Sequence, residues 1–187
     1  MKFVTEKVKI VESLQNAAAV AERRQTIPIL ANLRLKIIDG RLEVTATDLE
    51  IQIKTFSDLL EIKEEGETTV SARKMSELCR SLPDNENVEF SLDNGKLSVS
   101  SRNFSADFAT ISSDDFPEIE INEEQIPISI DSAKFKRVLS KTSFSMASQD
   151  VRYYLNGMLL EIGAGKINGV ATDGHRLAFS SVEVAGT

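Results

Sequence analysis

Three stretches of the chain alternate hydrophobic and polar residues on both sides of a short turn. They span 32–47, 88–99 and 158–167, and their turns are Asp39-Gly40, Asp93-Asn94-Gly95 and Gly163-Ala164-Gly165. A two-residue hairpin turn needs positive φ angles, which Asp-Gly and Asn-Gly adopt easily, and strand-forming residues favour alternation with a period of two. The pattern therefore predicts three β-hairpins.

A segment with hydrophobic residues at helical spacing precedes each hairpin. The three apolar faces consist of Ile10, Val11, Leu14, Ala17 and Ala18, then Met75, Leu78, Cys79 and Leu82, then Phe135, Val138, Leu139 and Thr142. Asp131 or Ser132 is placed to open the third helix. Short strands are expected before the helices, at 2–5, 67–70 and 126–130, and one more after each hairpin, at 50–55, 104–110 and 177–182. The repeating unit is thus β-α-β-β-β.

A longer repeat, of 125 residues, contains two of these units. A shift of 125 residues places Leu30 on Leu155, and the triplet Ala46-Thr47-Asp48 on Ala171-Thr172-Asp173. Two β-α-β-β-β units then form a first domain at 1–125, and 126–187 holds the first half of a second domain. We expect an α+β fold with antiparallel sheets on one side and helices on the other.

Charge is distributed unevenly along the 187 residues. The chain carries 29 acidic and 22 basic residues, a net charge of -7, which argues against an ordinary basic nucleic-acid-binding domain. Six of the acids lie between Asp114 and Glu124, and this acidic segment with Pro117 predicts a linker. From 132 to 152, by contrast, five bases accompany a single acid. A polyanionic partner is therefore expected at that segment.

The third predicted helix carries a basic stripe. Lys134, Arg137 and Lys141 follow at i, i+3 and i+7, so they share one face, mostly away from the apolar residues. This arrangement suits a polyanionic partner. The alternative is an ordinary solvated helix surface.

The composition leaves little room for metal or redox chemistry. A single cysteine cannot form a disulfide framework, and together with the single histidine it provides almost no soft ligands for zinc. We therefore predict no metal and no cofactor. His175 beside Asp173 could suggest a hydrolase, but no convincing third partner exists, so a turn or pocket-rim role is favoured and no enzyme is expected. The chain shows neither a signal-peptide pattern nor an apolar run of about 20 residues. We expect a cytoplasmic protein.

Four strings resemble a known family, the bacterial β sliding clamp, which is the β subunit of DNA polymerase III. They are 26–32 (TIPILAN), 46–50 (ATDLE), 149–158 (QDVRYYLNGM) and 171–177 (ATDGHRL). The resemblance implies three such domains in each subunit and a homodimeric ring around duplex DNA, with helices lining the hole and sheets outside. It implies a bacterial processivity factor that docks DNA polymerase, clamp loader and repair proteins through short peptide motifs. This chain matches the first domain and about half of the second.

The resemblance also implies roles for individual residues. Besides the helix cations, the positions implied in DNA contact are Arg24, Arg73, Gln149, Tyr153 and Tyr154. The implied peptide pocket is lined by Leu155, Thr172, Gly174, His175 and Leu177, with Arg152 and Arg176 at its polar margin. The implied subunit contact involves Lys74, Phe104, Ala106 and Phe108.

Other interpretations of these residues stay open at the level of sequence. Tyr153 and Tyr154 fit half-buried strand positions equally well, Leu155 and Leu177 fit a strand core, and Phe104 and Phe108 fit inward-facing strand positions. For the whole chain, the rival to a DNA clamp is a peptide-binding scaffold without a DNA role, which the net charge of -7 favours.

Overall fold

A computed structural model describes residues 1–21, 27–119 and 128–184. The chain divides into two compact units, Met1–Ile121 and Asn122–Thr187. The domain boundary expected between 125 and 126 falls in the stretch 120–127, outside the described residues.

Unit 1 contains nine strands and two α-helices within its described residues. They are β1 (Lys2–Glu6), α1 (Lys7–Ala18), β2 (Asn32–Ile38), β3 (Arg41–Thr47), β4 (Gln52–Asp58), β5 (Glu61–Glu64), β6 (Glu67–Ser71), α2 (Ala72–Ser81), β7 (Asn87–Asp93), β8 (Lys96–Ser101) and β9 (Phe104–Ala109). The strands form two antiparallel sheets with the orders β4-β3-β2-β6 and β5-β1-β7-β8-β9. The first strand of each half pairs in the sheet of the other half. β1, which precedes α1, pairs with β7, and β6, which precedes α2, pairs with β2. The two halves therefore interlock.

The core of unit 1 lies between the helices and the two sheets. Ile10 and Leu14 of α1 and Met75 of α2 are fully buried with the inward residues of the strands. The rings of Phe3 and Phe90 stack with centroids 4.7 Å apart, which joins β1 to β7. The predicted apolar faces of the first two helices are thus confirmed as core.

All three predicted hairpins are present, with the turn geometry that their sequences indicate. The turn residues Asp39-Gly40, Asn94-Gly95 and Ala164-Gly165 all have positive φ, between 47° and 74°. This is the left-handed conformation of a type I′ turn, whose twist matches the strands that it joins.

The segment 111–119, here called the strap, covers the face of the β4-β3-β2-β6 sheet that points away from the helices. Its start is tied by backbone hydrogen bonds in both directions between Ile111 and Thr69 (3.2 and 3.3 Å). In its middle, Phe116 is buried with Ile29 and Leu30. The described part of the predicted acidic linker therefore packs on unit 1, and the division between the two units falls inside the predicted segment.

Arg34 of β2 holds the other end of the strap. Its guanidinium forms ion pairs with Glu43 (3.3 Å) and with Glu118 of the strap, and it lies 5.4 Å from the ring centroid of Phe116. Ile119 donates its backbone N–H to Gln52 Oε1 at 3.0 Å. The pairing with Glu118 compensates for the burial of a charged residue in mid-sheet.

Unit 2 contains one helix and one sheet within its described residues. α3 (Ser132–Thr142) packs on the antiparallel sheet of β10 (Leu159–Gly163), β11 (Lys166–Thr172) and β12 (Leu177–Glu183). Asp131 is its N-cap, because its Oδ1 accepts the Lys134 N–H at 2.9 Å. The strand expected at 126–130 is absent from 128–130, since no described strand pairs with these residues.

The 125-residue repeat extends to strand register. Arg34 pairs with Thr45 and Thr45 with Lys54 in unit 1. The positions 125 residues later pair in the same way, as Leu159 with Val170 and Val170 with Phe179. The three strands of unit 2 thus repeat β2, β3 and β4 without a slip.

Candidate functional site

The basic stripe of α3 lies on the open side of the helix. Val138 and Thr142 are buried against the sheet, whereas Lys134, Arg137 and Lys141 are exposed. The Lys134 ammonium donates to the carbonyl of Glu183 at 3.1 Å. Arg137 and Lys141 have no acidic partner among the described residues, so both charges are free to meet an anion.

α2 offers fewer free charges. Arg73 Nε lies 2.9 Å from Glu77 Oε1, one helical turn later, and both side chains are exposed. Lys74 is exposed and has no acidic partner in the described part of the chain. Arg24 lies outside the described residues. The cationic surface of unit 1 is therefore partly neutralised at α2.

A folded loop between α3 and β10 presents three of the predicted residues. Gln149 has a φ of +58°, and Tyr153 and Tyr154 begin a 3-10 turn, Tyr153–Asn156, with 82% and 68% of their surface exposed. The half-buried strand position considered for the tyrosines is therefore wrong. Leu155 anchors the loop, because it is buried and its carbonyl accepts the Ala147 N–H at 2.9 Å.

Asp150 and Arg152 lock this loop together. Asp150 Oδ1 accepts the Arg152 backbone N–H (2.8 Å) and Nε–H (3.0 Å), and Oδ2 accepts from Nη2 at 2.9 Å. The Arg152 side chain, followed by its backbone N–H, lowers the pKa of Asp150 to about 2. The Asp150 carboxylate is therefore charged at physiological pH and pairs with the Arg152 guanidinium.

The second part of the site is the turn between β11 and β12. Thr172 Oγ1 accepts the Gly174 N–H (3.1 Å) and donates to the Arg176 carbonyl (2.7 Å), while Asp173 Oδ1 accepts from the backbone of His175 and Arg176, both at 2.9 Å. These backbone hydrogen bonds lower the pKa of Asp173. Gly174 has a φ of +89°, which accounts for glycine at this position.

The same carboxylate argues against a hydrolase. Asp173 Oδ2 accepts from Arg176 Nε at 2.9 Å, so both oxygens serve the turn and neither orients the imidazole of His175. His175 is exposed, and its ring makes no hydrogen bond to any described residue. This geometry supports the turn or pocket-rim role.

The two parts of the candidate site meet at Gly174. A Cβ atom there would lie 3.4 Å from the Arg152 guanidinium nitrogens, which is ordinary van der Waals contact, so the Arg152 side chain lies directly beside the turn. Leu155 is buried as a strand-core residue would be, but Leu177 is 65% exposed although it was also a core candidate. The candidate site thus combines the exposed Leu177 with two guanidinium groups, each paired with an aspartate.

Sequence reasoning missed one neighbour of this site. Phe144 is 60% exposed, and its ring centroid lies 5.9 Å from the Arg176 guanidinium carbon. An aromatic residue placed just after an amphipathic helix was the available signal.

The predicted subunit contact lies on the edge strand β9. Phe104, Ala106 and Phe108 face Ser101, Val99 and Leu97 of β8, so their side chains lie on the core side of the sheet. Phe108 packs against the core, and Phe104 is 40% exposed. The inward-facing alternative thus describes the side chains, while β9 remains a sheet edge within the described structure.

Two kinds of feature are absent from the described residues. No group of three or more His, Cys, Asp or Glu side chains lies close enough to hold a metal ion. No helix there is both long and apolar enough to cross a membrane.

Comparison with family models decides the family. The model of the DNA polymerase III beta subunit N-terminal domain matches residues 1–120, and that of the central domain matches 129–187. The chain belongs to the DNA polymerase III beta subunit family. The resemblance of the four sequence strings and the α+β clamp fold are both confirmed.

Relatives in this family are bacterial sliding clamps. The beta sliding clamp of Pseudomonas aeruginosa is 41% identical over 183 residues, and that of Escherichia coli K12 is 39% identical over 184; each alignment covers 98% of this chain and 50% of the relative. The chain therefore spans about half the length of these curated relatives.

Solved clamps share the backbone arrangement. The P. aeruginosa DNA polymerase III subunit beta superposes with a TM-score of 0.94 at 40% identity, covering 98% of this chain and 50% of that one. A sliding clamp of the same species bound to griselimycin gives 0.91 at 40% identity, covering 99% and 50%. Caulobacter crescentus pol III beta gives 0.91 at 32% identity, covering 98% and 50%.

Proposed function

We propose that this chain supplies the first domain and the first half of the second domain of a bacterial replicative sliding clamp. In the longer protein, two subunits would close head to tail into a ring around duplex DNA, through the edge strand β9 with Phe104, Ala106, Phe108 and Lys74. The role is non-catalytic and cytoplasmic, and it needs no cofactor.

One observation carries the DNA role. The stripe of Lys134, Arg137 and Lys141 is exposed on the free side of α3, and its last two charges have no acidic partner among the described residues. An extended row of unpaired cations on a helix matches regularly spaced phosphates, and it reads no base edge. Binding is then independent of sequence and weak enough for sliding.

Further residues add to this surface. Gln149 and the exposed rings of Tyr153 and Tyr154 lie on the loop that follows α3, and Arg73 and Arg24 are the proposed contacts from unit 1. Each of these contacts needs to add only a modest affinity, because a closed ring retains DNA by encircling it.

The peptide role rests on the paired turns of unit 2. Leu155, Thr172, Gly174, His175 and Leu177 are proposed to bind short motifs of DNA polymerase, clamp loader and repair proteins, with Arg152 and Arg176 at the polar margin. An apolar side chain buried on such a surface gains about 1.5–3 kcal/mol. Ordering costs then leave affinities on the order of micromolar, which suits partners that must exchange.

A salt titration with two duplexes of unrelated sequence tests the DNA role. We expect equal affinities for both, with dissociation constants on the order of 10⁻⁴ to 10⁻⁶ M at physiological salt. The affinity should fall steeply as salt increases. Its rival, a peptide-binding scaffold favoured by the net charge of -7, predicts no DNA binding even at low salt. That result would refute the DNA role while leaving the peptide role intact.

A further inference from the structure

The exposed face of α2 carries a row of charged residues whose spacing resembles that of the basic stripe of α3. Arg73, Glu77 and Arg80 follow at i, i+4 and i+7, so they share one face of the helix. All three are exposed, and all three line a cavity of about 600 Å³ between α1 and α2. The stripe of α3 has a cation at each of its three positions, whereas this row has an acid in the middle. Two arginines and one glutamate therefore give the row of α2 a net charge of +1, against +3 for the stripe of α3.

Glu77 pairs with the first cation of this row. Arg73 donates its Nε–H to Glu77 Oε1 at 2.9 Å. The same carboxylate belongs to the residue one turn before Arg80, so it also reduces the positive potential there. The salt dependence of DNA affinity counts the cations that neutralise phosphates and release counterions. An arginine whose charge is already balanced by a carboxylate adds little to that count.

α1 does not replace the missing charge. A shift of 125 residues places the three positions of the α3 stripe on Lys9, Glu12 and Asn16, which are all exposed. Lys9 Nζ lies 3.6 Å from Glu6 Oε1, Glu12 has no basic partner among the described residues, and Asn16 is neutral. The middle position of the stripe is thus an acid in α1 as well. Neither helix of unit 1 presents three cations in a row.

We propose that Glu77 is a positioning residue, which holds Arg73 along α2 and so limits the contact of unit 1 with DNA phosphates. Arg137 and Lys141 of α3 have no such acidic partner in the part of the chain that the structure describes. Phosphate contact is therefore stronger at unit 2 than at unit 1. Contacts that are few and independent of sequence let a protein move along DNA. This inference rests on the DNA-binding function proposed above.

The salt dependence of duplex affinity, measured by fluorescence anisotropy with the full chain, tests the role of Glu77. Glu77→Gln keeps the size of the side chain and removes its charge, so Arg73 becomes free to neutralise one more phosphate. The slope of log affinity against log salt should then increase in magnitude by about 0.9. As salt rises from about 50 to about 200 mM, the affinity advantage of this variant over wild type should fall by about 3.5-fold.

Glu12→Gln is the matched control, because it makes the same change at an exposed helix position of unit 1 and frees no cation in the described structure. Its slope should equal that of wild type. Adding Arg73→Gln to Glu77→Gln should remove the gain, because the gain passes through Arg73. Circular dichroism should give the wild-type helix content for each variant, since the pair of Arg73 and Glu77 is exposed.

Three results would overturn this role, each in a different way. An unchanged slope for Glu77→Gln, while wild type binds the duplex, would refute the role of Glu77 and leave the DNA function standing. Equal gains in Glu77→Gln and Glu12→Gln, or a gain that persists after Arg73→Gln, would assign the effect to the net charge of the chain. Absence of DNA binding by wild type even at low salt would refute the DNA function itself, and this inference with it.

Discussion

The α3 helix of unit 2 packs closely on Gly169, and this contact yields a quantitative prediction. A Cβ atom at Gly169 would lie 2.5 Å from Cγ1 of Val138, whereas carbon atoms in ordinary contact are about 3.5–4.0 Å apart. Gly169→Ala must therefore push α3 outward by about 1 Å or displace Val138 from its rotamer. Overpacking of this kind costs about 1–3 kcal/mol.

An opposing effect reduces this cost. Replacing glycine with alanine also restricts the unfolded chain, which stabilises a protein by about 0.4–1 kcal/mol where the native backbone suits alanine. The net loss for Gly169→Ala is then roughly 0–2.5 kcal/mol, centred near 1. Gly163→Ala is the matched control, since nothing lies within 4 Å of its Cβ position and its φ is not positive. That variant should be neutral or slightly stabilised.

Tyrosine fluorescence during urea unfolding measures both variants. The chain has two tyrosines and no tryptophan, and Tyr153 and Tyr154 both belong to unit 2. The Gly169→Ala midpoint should fall below that of Gly163→Ala, with the same slope. Coincident midpoints would refute the inference that Gly169 is needed for the close approach of α3.

Three more predictions concern titration, the strap and the cysteine. Because Asp150 has its pKa lowered to about 2, the contribution of its ion pair with Arg152 is fully present above about pH 4, the unfolded carboxyl pKa. It should be lost as the pH falls through 2, and a carboxyl resonance titrating near pH 4 in carbon-detected NMR would contradict this. Arg34→Met should release the strap, giving faster amide exchange at 116–119 than in wild type, whereas Lys36→Met, which alters an exposed pair, should not. Burial raises the pKa of Cys79 to about 12, so the thiol should react with a disulfide reagent only at the rate of unfolding, and immediate labelling at pH 8 would show that it is accessible.

Local chemistry explains the parts of the fold that were predictable. The hairpins were predictable because their turn residues tolerate positive φ. The helices were predictable because a helix that packs on a sheet needs apolar residues at helical spacing along one face. β5 was missed, because Glu61–Glu64 is exposed throughout and becomes a strand only through pairing with β1. Its sequence therefore lacks the alternation of hydrophobic and polar residues that predicts a strand.

The candidate site was less predictable, because a pattern indicates which residues share a face and not what covers that face. Leu177 was expected in a strand core, and it does alternate with buried Ala178, but its side of the sheet is open within the described structure. The packing of the strap was not predicted, because its acids carry no periodicity. Glu118 pairs there with Arg34 of β2, a contact 84 residues away in sequence.

Binding of DNA phosphates by the free face of α3 is the property on which the proposed DNA role depends most. The measurement is the salt dependence of duplex affinity for wild type, Arg137→Gln and Lys141→Gln, with Lys166→Gln on β11 as the control. The three cations of α3 should contribute about -2.7 to the slope of log affinity against log salt, and each helix variant should reduce its magnitude by about 0.9. An unchanged slope in both helix variants, or an equal reduction by Lys166→Gln, would contradict the claim.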